Sequence, residues 1–386
     1  MRDTIIDAVA LDSTLGGFPF PGEQPYLLVA LQPGRDSVDV RTVVRFDSLP
    51  SKFFPTGGAD SLAITKVDSS FLILHVDTLT RRTIGTTTLE AYDVDTADAV
   101  DTTAAALAPL FRAGRRLGSI ALDSTVLKGD TLRLPLSNAA VAAKAGGAKR
   151  LRIGLRLTGA TRSRFRIFST QGGASTRGAS LSFDPSTDTT YTPLVLAPSS
   201  GTPPANAEIA SGLRDFTFLA AGVRGVEGRD LIVGGVPARR TFLRFAIPQR
   251  LADSTTVVRA VLRLVQQPSR GADPTDTVAL VPDVVVASDA VTDVRRAVAL
   301  TSSGRLFGVD SVRIVPTDSG LRELSLVGVV RSWRSLPTGT QRAVVLRASL
   351  EGAQASDLRF YSMEAAAGLR PRLQISYIPR SNFGIP

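Results

Sequence analysis

Two rows of arginines are the residues of this sequence whose type and spacing could do chemistry. Both rows lie in segments where charged and apolar residues alternate, and they consist of Arg150, Arg152 and Arg156, and of Arg162, Arg164 and Arg166. Alternate residues of a β-strand face opposite sides of a sheet, so adjacent antiparallel strands would merge the rows into one basic face. Guanidinium groups bind carboxylates and phosphates in a bidentate way. We therefore expect a docking face for an acidic protein surface, anionic lipid headgroups or an anionic polysaccharide.

A second interpretation gives these arginines no partner outside the chain. Like charges that oppose each other across a sheet are unfavourable unless acids or anions lie between them. The first hundred residues are rich in Asp and could supply those acids, which would leave an ordinary solvated face. Nucleic acid is not an expected partner under either interpretation, because no recognition module or interleaved aromatic pattern accompanies the arginines.

The other polar residues give no indication of catalysis. The chain has no Cys, which excludes disulfides, thiolate chemistry and zinc sites built on Cys. Its single His, His75, is expected on the solvent face or at the end of a strand. An acidic cluster could hold calcium, although its spacing matches no standard calcium loop; it consists of Asp93, Asp95, Asp98 and Asp101. We predict a protein that is not an enzyme, with no catalytic residue, no metal and no cofactor.

The elements that must position these residues are β-strands. Turn signals recur about every ten residues between short apolar runs, which favours a sandwich or barrel. Two similar segments, Thr42–Pro50 and Thr241–Pro248, each combine an apolar run with Arg-Phe and a proline. Further matching segments follow in the same order at an offset of roughly 190–205 residues, which indicates a tandem duplication.

The fold predicted from this pattern is all-β, with two tandem jelly-roll-like β-sandwich domains. The predicted organisation is an extended N-terminal arm (1–24), a first domain (25–190), a Pro/Ser/Gly-rich linker (191–210), a second domain (211–380) and a C-terminal tail (381–386). The boundary rests on the change to linker composition in this region.

The alternating pattern of the second domain also predicts which side chains face inward. Alternate strand residues pack between the two sheets of a sandwich. Arg244, Arg263 and Arg359 should then point outward. The expected core residues are Leu243, Phe245, Leu262, Leu264, Leu324, Leu326, Leu358 and Phe360.

The second half resembles the DNRLRE-type domains, a family of secreted bacterial β-sandwiches. The resemblance rests on Arg240–Phe245, on Ala260–Leu264, on Trp333 with the valines before it, on Phe360–Ser362 and on Pro371–Tyr377. The first half matches less well, since it has no Trp and lacks the proline and final tyrosine of the closing strand. The resemblance implies a jelly-roll-like sandwich and an exported location, periplasmic or extracellular. Some relatives bind polysaccharide, but no motif of this sequence identifies a sugar site.

The functional hypothesis that follows is an accessory structural subunit docked on a larger assembly, which can be membrane-bound. Bioenergetic and photosynthetic membrane complexes are among the hosts that it admits. The alternative is a carbohydrate-binding or cell-surface adhesion module, and a third hypothesis is a polysaccharide-degrading enzyme. No secretory signal is visible in residues 1–20, and no apolar stretch is long enough to span a bilayer.

Overall fold

The computed structural model divides the chain into two compact units. The described residues are 1–6, 9–34, 37–77, 82–83, 87–98, 101–123, 126, 129–171, 177–186, 188, 191–200, 213–222, 230–248, 251, 255–287, 297, 311–333, 336 and 341–379. One unit, Pro19–Val223, is continuous in sequence and is called the continuous unit. The other joins Met1–Phe18 to Arg224–Pro386 and is called the composite unit.

The elements of both units are short strands with few helices among them. The composite unit begins with β1 (Arg2–Ile6) and β2 (Val9–Phe18). The continuous unit contains β3 (Tyr26–Gln32), β4 (Val38–Phe46), β5 (Lys52–Phe53), β6 (Leu62–Ala63), β7 (Ser69–His75), β8 (Arg82–Thr83), β9 (Thr87–Asp93), α1 (Ala104–Leu107), two 3-10 turns (Ala108–Leu110 and Ala113–Arg115), β10 (Arg116–Leu122), β11 (Thr131–Pro135), α2 (Asn138–Gly146), β12 (Leu151–Gly159), β13 (Ser163–Phe168), β14 (Ser180–Asp184), β15 (Leu194–Leu196) and β16 (Asp215–Ala221). The composite unit ends with β17 (Asp230–Gly234), β18 (Ala238–Phe245), β19 (Thr255–Gln267), β20 (Val278–Ala287), β21 (Val312–Ile314), β22 (Gly320–Ser325), α3 (Val327–Ser332), β23 (Gln341–Ala348), β24 (Asp357–Tyr361) and β25 (Arg372–Pro379).

Antiparallel pairing connects these strands, and the predicted all-β fold is confirmed. The sequence of β7 shows why strands form: buried and half-buried residues alternate along its whole length, which is the period of a strand with one face in the core. His75 is the last residue of β7, at the end of the strand as expected. Its Nδ1 lies 3.3 Å from Thr131 Oγ1.

The continuous unit is a sandwich of two main sheets. One sheet has the strand order β10-β9-β12-β4-β3-β13-β8, with β16 also paired to β4; the other has the order β11-β7-β14-β15; β5 and β6 form a separate hairpin. A single large apolar core draws side chains from both sheets, including Leu72 and Leu74 from β7 and Leu155 from β12. Apolar side chains from two facing sheets are what a β-sandwich buries.

A second apolar cluster, named the outer cluster, lies on the other face of the larger sheet. Val43 and Val44 are neighbours in β4 but belong to different clusters, so they lie on opposite faces of the sheet. The buried members of the outer cluster are Val43, Tyr92, Val94, Leu107, Phe111, Leu213, Phe216 and Phe218. The larger sheet is therefore covered on both faces in this region.

The strands of the composite unit form one curled sheet around a core of their own. Its order is β1-β25-β19-β24-β17-β18-β23-β20-β21, with β2 on β18 and β22 on β19. All eight predicted core residues of this half are buried in one cluster. Trp333 is buried as well, and its Nε1 donates to the carbonyl oxygen of Ala343 at 3.3 Å. Of the three arginines predicted to point outward, Arg244 and Arg263 are half-buried, whereas Arg359 is buried beside Asp357.

The N-terminal residues differ from the extended arm that the sequence suggested for 1–24. Arg2–Ile6 pairs with β25, and Val9–Phe18 pairs with β18. Phe18 is buried in a small cluster with Phe242 and Val345. Hydrogen bonding to strands more than two hundred residues away fixes this segment, and no local sequence pattern reports such pairing.

The region around the predicted linker and boundary also contains strands. Leu194–Leu196 pairs with β14, although it falls within the predicted linker. Asp215–Ala221 falls within the predicted second domain but belongs to the continuous unit, where it pairs with β4. Its Thr217 Oγ1 accepts a hydrogen bond from the backbone N–H of Leu28 at 3.0 Å. Residues 201–210 of the linker and the tail 381–386 lie outside the described residues.

Candidate functional site

The two arginine rows do not merge into one basic face. Strands β12 and β13 are separated by β4 and β3 in the sheet. Arg152 lies opposite Arg45 of β4, and Arg164 lies opposite Arg82 of β8. The expected adjacency of the two strands is therefore wrong, because each of them pairs with strands from earlier in the chain.

Arg152 is enclosed in the continuous unit with none of its surface exposed. Its Nη1 donates to Thr96 Oγ1 at 3.2 Å and to the carbonyl oxygen of Asp98 at 3.3 Å, and its Nη2 donates to the carbonyl oxygen of Asp101 at 2.6 Å. Burial lowers the pKa of this guanidinium, because the charged form loses its hydration. Arg152 therefore braces the segment that follows β9, and the expectation that it faces a partner is wrong.

The outer cluster packs on the arginine-bearing face of β12 at Gly154, two residues after Arg152. A Cβ atom at Gly154 would lie 2.5 Å from Phe111 Cζ and 2.6 Å from Val94 Cγ1. Both contacts are with side chains of the outer cluster. Glycine is therefore required at this position for the outer cluster to pack directly on the backbone of β12.

The acidic cluster after β9 binds cationic side chains of the same unit. Lys144 Nζ lies 3.1 Å from Asp93 Oδ2 and 3.4 Å from Asp95 Oδ2. Arg150 Nε lies 2.7 Å from Asp95 Oδ1, and its Nη2 donates to the carbonyl oxygen of Thr96 at 2.6 Å. Throughout the described ranges, no group of three or more acidic or His side chains is arranged to hold a metal ion. Ammonium and guanidinium groups therefore neutralise two of the four carboxylates that the calcium alternative would have used, those of Asp93 and Asp95.

Two further arginines of the rows have carboxylate partners. Arg156 Nε lies 3.7 Å from Asp39 Oδ2. Arg166 is buried, and its Nη2 lies 2.7 Å from Asp77 Oδ2. The Arg166 guanidinium also stacks over the ring of Tyr26, with Cζ 4.8 Å from the ring centroid, an arrangement that stabilises a desolvated cation.

The remaining pair, Arg162 and Arg164, is half-buried, and both residues interact within the chain. The acids that neutralise the rows, Asp39, Asp77 and Asp95, all come from the first hundred residues. The source of these acids is the one that the second interpretation named, but that interpretation expected a solvated face, whereas Arg152 and Arg166 are buried. Contact of Arg150, Arg156, Arg162, Arg164 and Arg166 with a partner stays a prediction.

Asp215, the first residue of β16, is a buried carboxylate with an incomplete set of partners. Its Oδ2 accepts a hydrogen bond from the backbone N–H of Thr170 at 2.7 Å. Within the described part of the chain, its Oδ1 has no hydrogen-bond partner. Burial raises the pKa of Asp215 from 3.8 to about 6, because the charged form is desolvated, and the hydrogen bond from the Thr170 backbone and the charge of Arg214 offset only part of that effect.

The composite unit exposes apolar side chains on three neighbouring strands. Ile5 of β1, Val258 of β19 and Ile378 of β25 are between 42% and 53% exposed. Strand β25 lies between the other two in the sheet. These three residues are named the apolar patch. Val258 is exposed because β19 has a bulge there. Val257 pairs with Tyr377, and the neighbouring Ser376 pairs with Arg259, so Val258 has no register partner in β25.

Strand β1, which carries Ile5 of the apolar patch, also has an open edge. In the described structure β1 pairs only with β25, so its other side is an open strand edge. Unpaired N–H and C=O groups along such an edge can accept a strand from another chain. No sequence pattern indicated this edge, although the apolar run in residues 5–6 next to charged residues could have suggested a strand.

The comparisons with known proteins identify no family for this chain. No family model and no curated protein matches it. Among solved structures, the C-terminal domain of the Streptococcus pyogenes antigen I/II-family protein AspA covers 93% of this chain and 91% of its own, with 9% identity and a TM-score of 0.17. The infectious bursal disease virus Gt strain structure covers 93% and 75%, with 10% identity and a TM-score of 0.14. Such low scores indicate neither the fold nor the function of this protein, and the DNRLRE-type resemblance stays a prediction. None of the helices in the described residues has the length and apolar character that crossing a bilayer requires.

Proposed function

We propose that the protein is a non-enzymatic accessory subunit that docks on a larger extracytoplasmic assembly, which can be membrane-bound. The observation that carries the proposal is the apolar patch beside the open edge of β1. The location, periplasmic or extracellular, is part of the proposal and rests on the resemblance to secreted sandwiches.

The physical argument combines two features that favour association with a partner, exposed apolar side chains and an open strand edge. Single exposed apolar residues are common on protein surfaces, but Ile5, Val258 and Ile378 lie on three consecutive strands at one edge of a sheet. Ile5 pairs with Gln374, four residues along β25 from Ile378, so the three side chains are spread over this end of the sheet. Several exposed apolar side chains in one region are typical of interaction sites. A partner strand paired to β1 would satisfy the open backbone groups and could cover Ile5 and its neighbours.

The charges of the chain support an apolar contact over an electrostatic one. Arg152 and Arg166 are buried, and Arg150 and Arg156 have acidic partners in the chain. Binding through the apolar patch should therefore persist as salt is raised. Binding through the arginine rows should weaken with salt, because exposed charges are screened within about 10 Å at 0.1 M ionic strength.

The alternative, a carbohydrate-binding or adhesion module, has less support. Sugar sites commonly use exposed aromatic rings as stacking surfaces, and the single Trp, Trp333, is buried. The hypothesis of a polysaccharide-degrading enzyme has no observation in its favour beyond the resemblance.

The test is co-purification from the native source, with variants of the apolar patch. The variant Ile5→Arg/Ile378→Arg should lose the partner complex, because two cations would be buried in the interface without acids. The control is Leu321→Arg, a residue of similar exposure on β22. Leu321 pairs with Val265 of β19, whereas Ile378 pairs with Thr256 of the same strand. These two positions are nine residues apart, so Leu321 lies about 30 Å along the strand from Ile378. Recovery of the wild-type protein as a free monomer that a polysaccharide column retains would refute the proposal.

A further inference from the structure

The β5–β6 hairpin of the continuous unit exposes apolar side chains to solvent. Lys52 pairs with Ala63 and Phe53 pairs with Leu62. The residues between the two strands form a turn in which Gly57 has a φ of 69° and all of 56–60 are exposed. Phe54 is 65% exposed and Leu62 is 51% exposed. The two largest apolar side chains that the hairpin exposes therefore stand next to the turn.

The base of the hairpin is fixed, so this exposure is not the result of a loose loop. Phe53 is buried, and its ring meets the ring of Tyr191 edge-on with 5.5 Å between centroids. Ile64 is buried, and its backbone N–H donates to the carbonyl oxygen of Ser51 at 2.8 Å. The carbonyl oxygen of Ile64 lies so close to Gly146, the last residue of α2, that a Cβ atom added to this glycine would be only 2.9 Å from it. The hairpin is thus anchored on the end of α2 while its turn faces solvent.

Lysines surround this hairpin, and they are rare elsewhere. The chain has five lysines among its 45 cationic residues. Lys52 and Lys66 flank the hairpin, and Lys149 lies three residues beyond Gly146; all three are exposed. In the described ranges none of these three ammonium groups forms an ion pair, in contrast to Lys144. The turn itself carries one carboxylate, Asp60, which is also exposed.

We propose that this hairpin is a membrane-surface anchor that inserts Phe54 and Leu62 into a bilayer containing anionic lipid. An aromatic and an aliphatic side chain flanked by lysines are the combination that holds monotopic proteins at an anionic interface. A protein partner fits less well, because protein interfaces are depleted in Lys and enriched in Arg, and this surface has the opposite composition. The proposal is independent of the docking function above, since it uses other residues in the other unit.

Binding of the full-length protein to vesicles tests this proposal. The probes are phosphatidylcholine vesicles with and without phosphatidylserine, and the measurement is the partition coefficient from co-sedimentation. We expect binding only to vesicles with phosphatidylserine. Neutralising the cations in Lys52→Gln/Lys66→Gln/Lys149→Gln should reduce the partition coefficient about a hundredfold. Asp60→Asn should raise it severalfold, because a carboxylate no longer approaches the anionic surface.

The apolar contribution has its own variants. Phe54→Ser/Leu62→Ser should reduce the partition coefficient by roughly tenfold or more, while Leu321→Ser, an exposed apolar residue of the composite unit, should leave it unchanged. In Phe54→Trp the new indole should shift its emission to the blue on adding anionic vesicles, against a constant signal from buried Trp333. Absence of wild-type binding to anionic vesicles would overturn the proposal, and so would an unchanged partition coefficient in both multiple variants. The same vesicles test Ile5→Arg/Ile378→Arg, which should bind as wild type, so failure of the anchor is distinguishable from failure of the docking function.

Discussion

Replacing Asp215 with Asn should stabilise the protein at neutral pH. The Asp215 side chain is buried, and only Oδ2 has a hydrogen-bond partner among the described residues, the backbone N–H of Thr170. In Asp215→Asn the side-chain oxygen can still accept that hydrogen bond. The substitution removes the negative charge, so the folded state no longer includes the free-energy cost of desolvating a carboxylate.

The magnitude follows from the pKa of Asp215, which burial raises from 3.8 to about 6. Below pH 3.8 the carboxyl group is protonated in both the folded and the unfolded state. Between pH 3.8 and 6 the folded state holds the proton that the unfolded state has lost, so the free energy of unfolding falls as pH rises. A difference of about two pKa units corresponds to about 3 kcal/mol lost by neutral pH, which is the upper limit of the gain expected from Asp215→Asn.

Urea unfolding followed by circular dichroism measures this difference. At about pH 7 the variant should be more stable by up to 3 kcal/mol, and near pH 3.5 it should match the wild type. The control Asp60→Asn, in the exposed hairpin turn, should change the free energy of unfolding by less than about 0.5 kcal/mol at either pH. A variant that is less stable than wild type at neutral pH, or a gain that does not depend on pH, would refute the reasoning.

Two further substitutions test how β12 is packed. Gly154→Ala places a methyl group 2.5 Å from Phe111 Cζ and should cost about 1–3 kcal/mol of unfolding free energy in urea titrations; wild-type stability would contradict the packing of the outer cluster on this strand. Arg152→Met keeps an unbranched side chain but leaves the carbonyl oxygens of Asp98 and Asp101 without their buried donor, so thermal and urea unfolding should show a loss of about 3 kcal/mol. The exposed Arg112→Met is its control, and an equal loss in both variants would count against a specific role for Arg152.

Local sequence patterns were sufficient to predict core residues on the later strands of the composite unit, although not its first two strands, β1 and β2. Leu262 and Leu264 of β19 and Leu358 and Phe360 of β24 alternate with polar residues, and all four are buried. A period of two identifies the face of a strand that is apolar, wherever the strand lies in the sheet. Nothing more distant than the next few residues is needed for that inference.

The same patterns could not predict what covers the opposite face. The alternation in β12 correctly separated Arg152 from Leu151 and Leu155, but it could not show that Phe111 and Phe216 lie over the arginine face. One local signal was present: Gly154, between Arg152 and Arg156, marks a close approach to the backbone. Sheet order was equally hidden, because the strands that separate β12 from β13 precede both of them by more than a hundred residues.

The pairing of β1 with β25 has a consequence for how the chain is made. Arg2 pairs with Tyr377, so β1 leaves the ribosome about 375 residues before its partner and cannot form these hydrogen bonds until then. At about 5–20 residues per second, synthesis of the intervening chain takes roughly 20–75 s. The continuous unit has all its strands by Val223 and can fold during that time. Until β25 has been made, Ile5 and both backbone edges of β1 stay unpaired on the nascent chain, which is a stage at which an apolar strand is prone to aggregation.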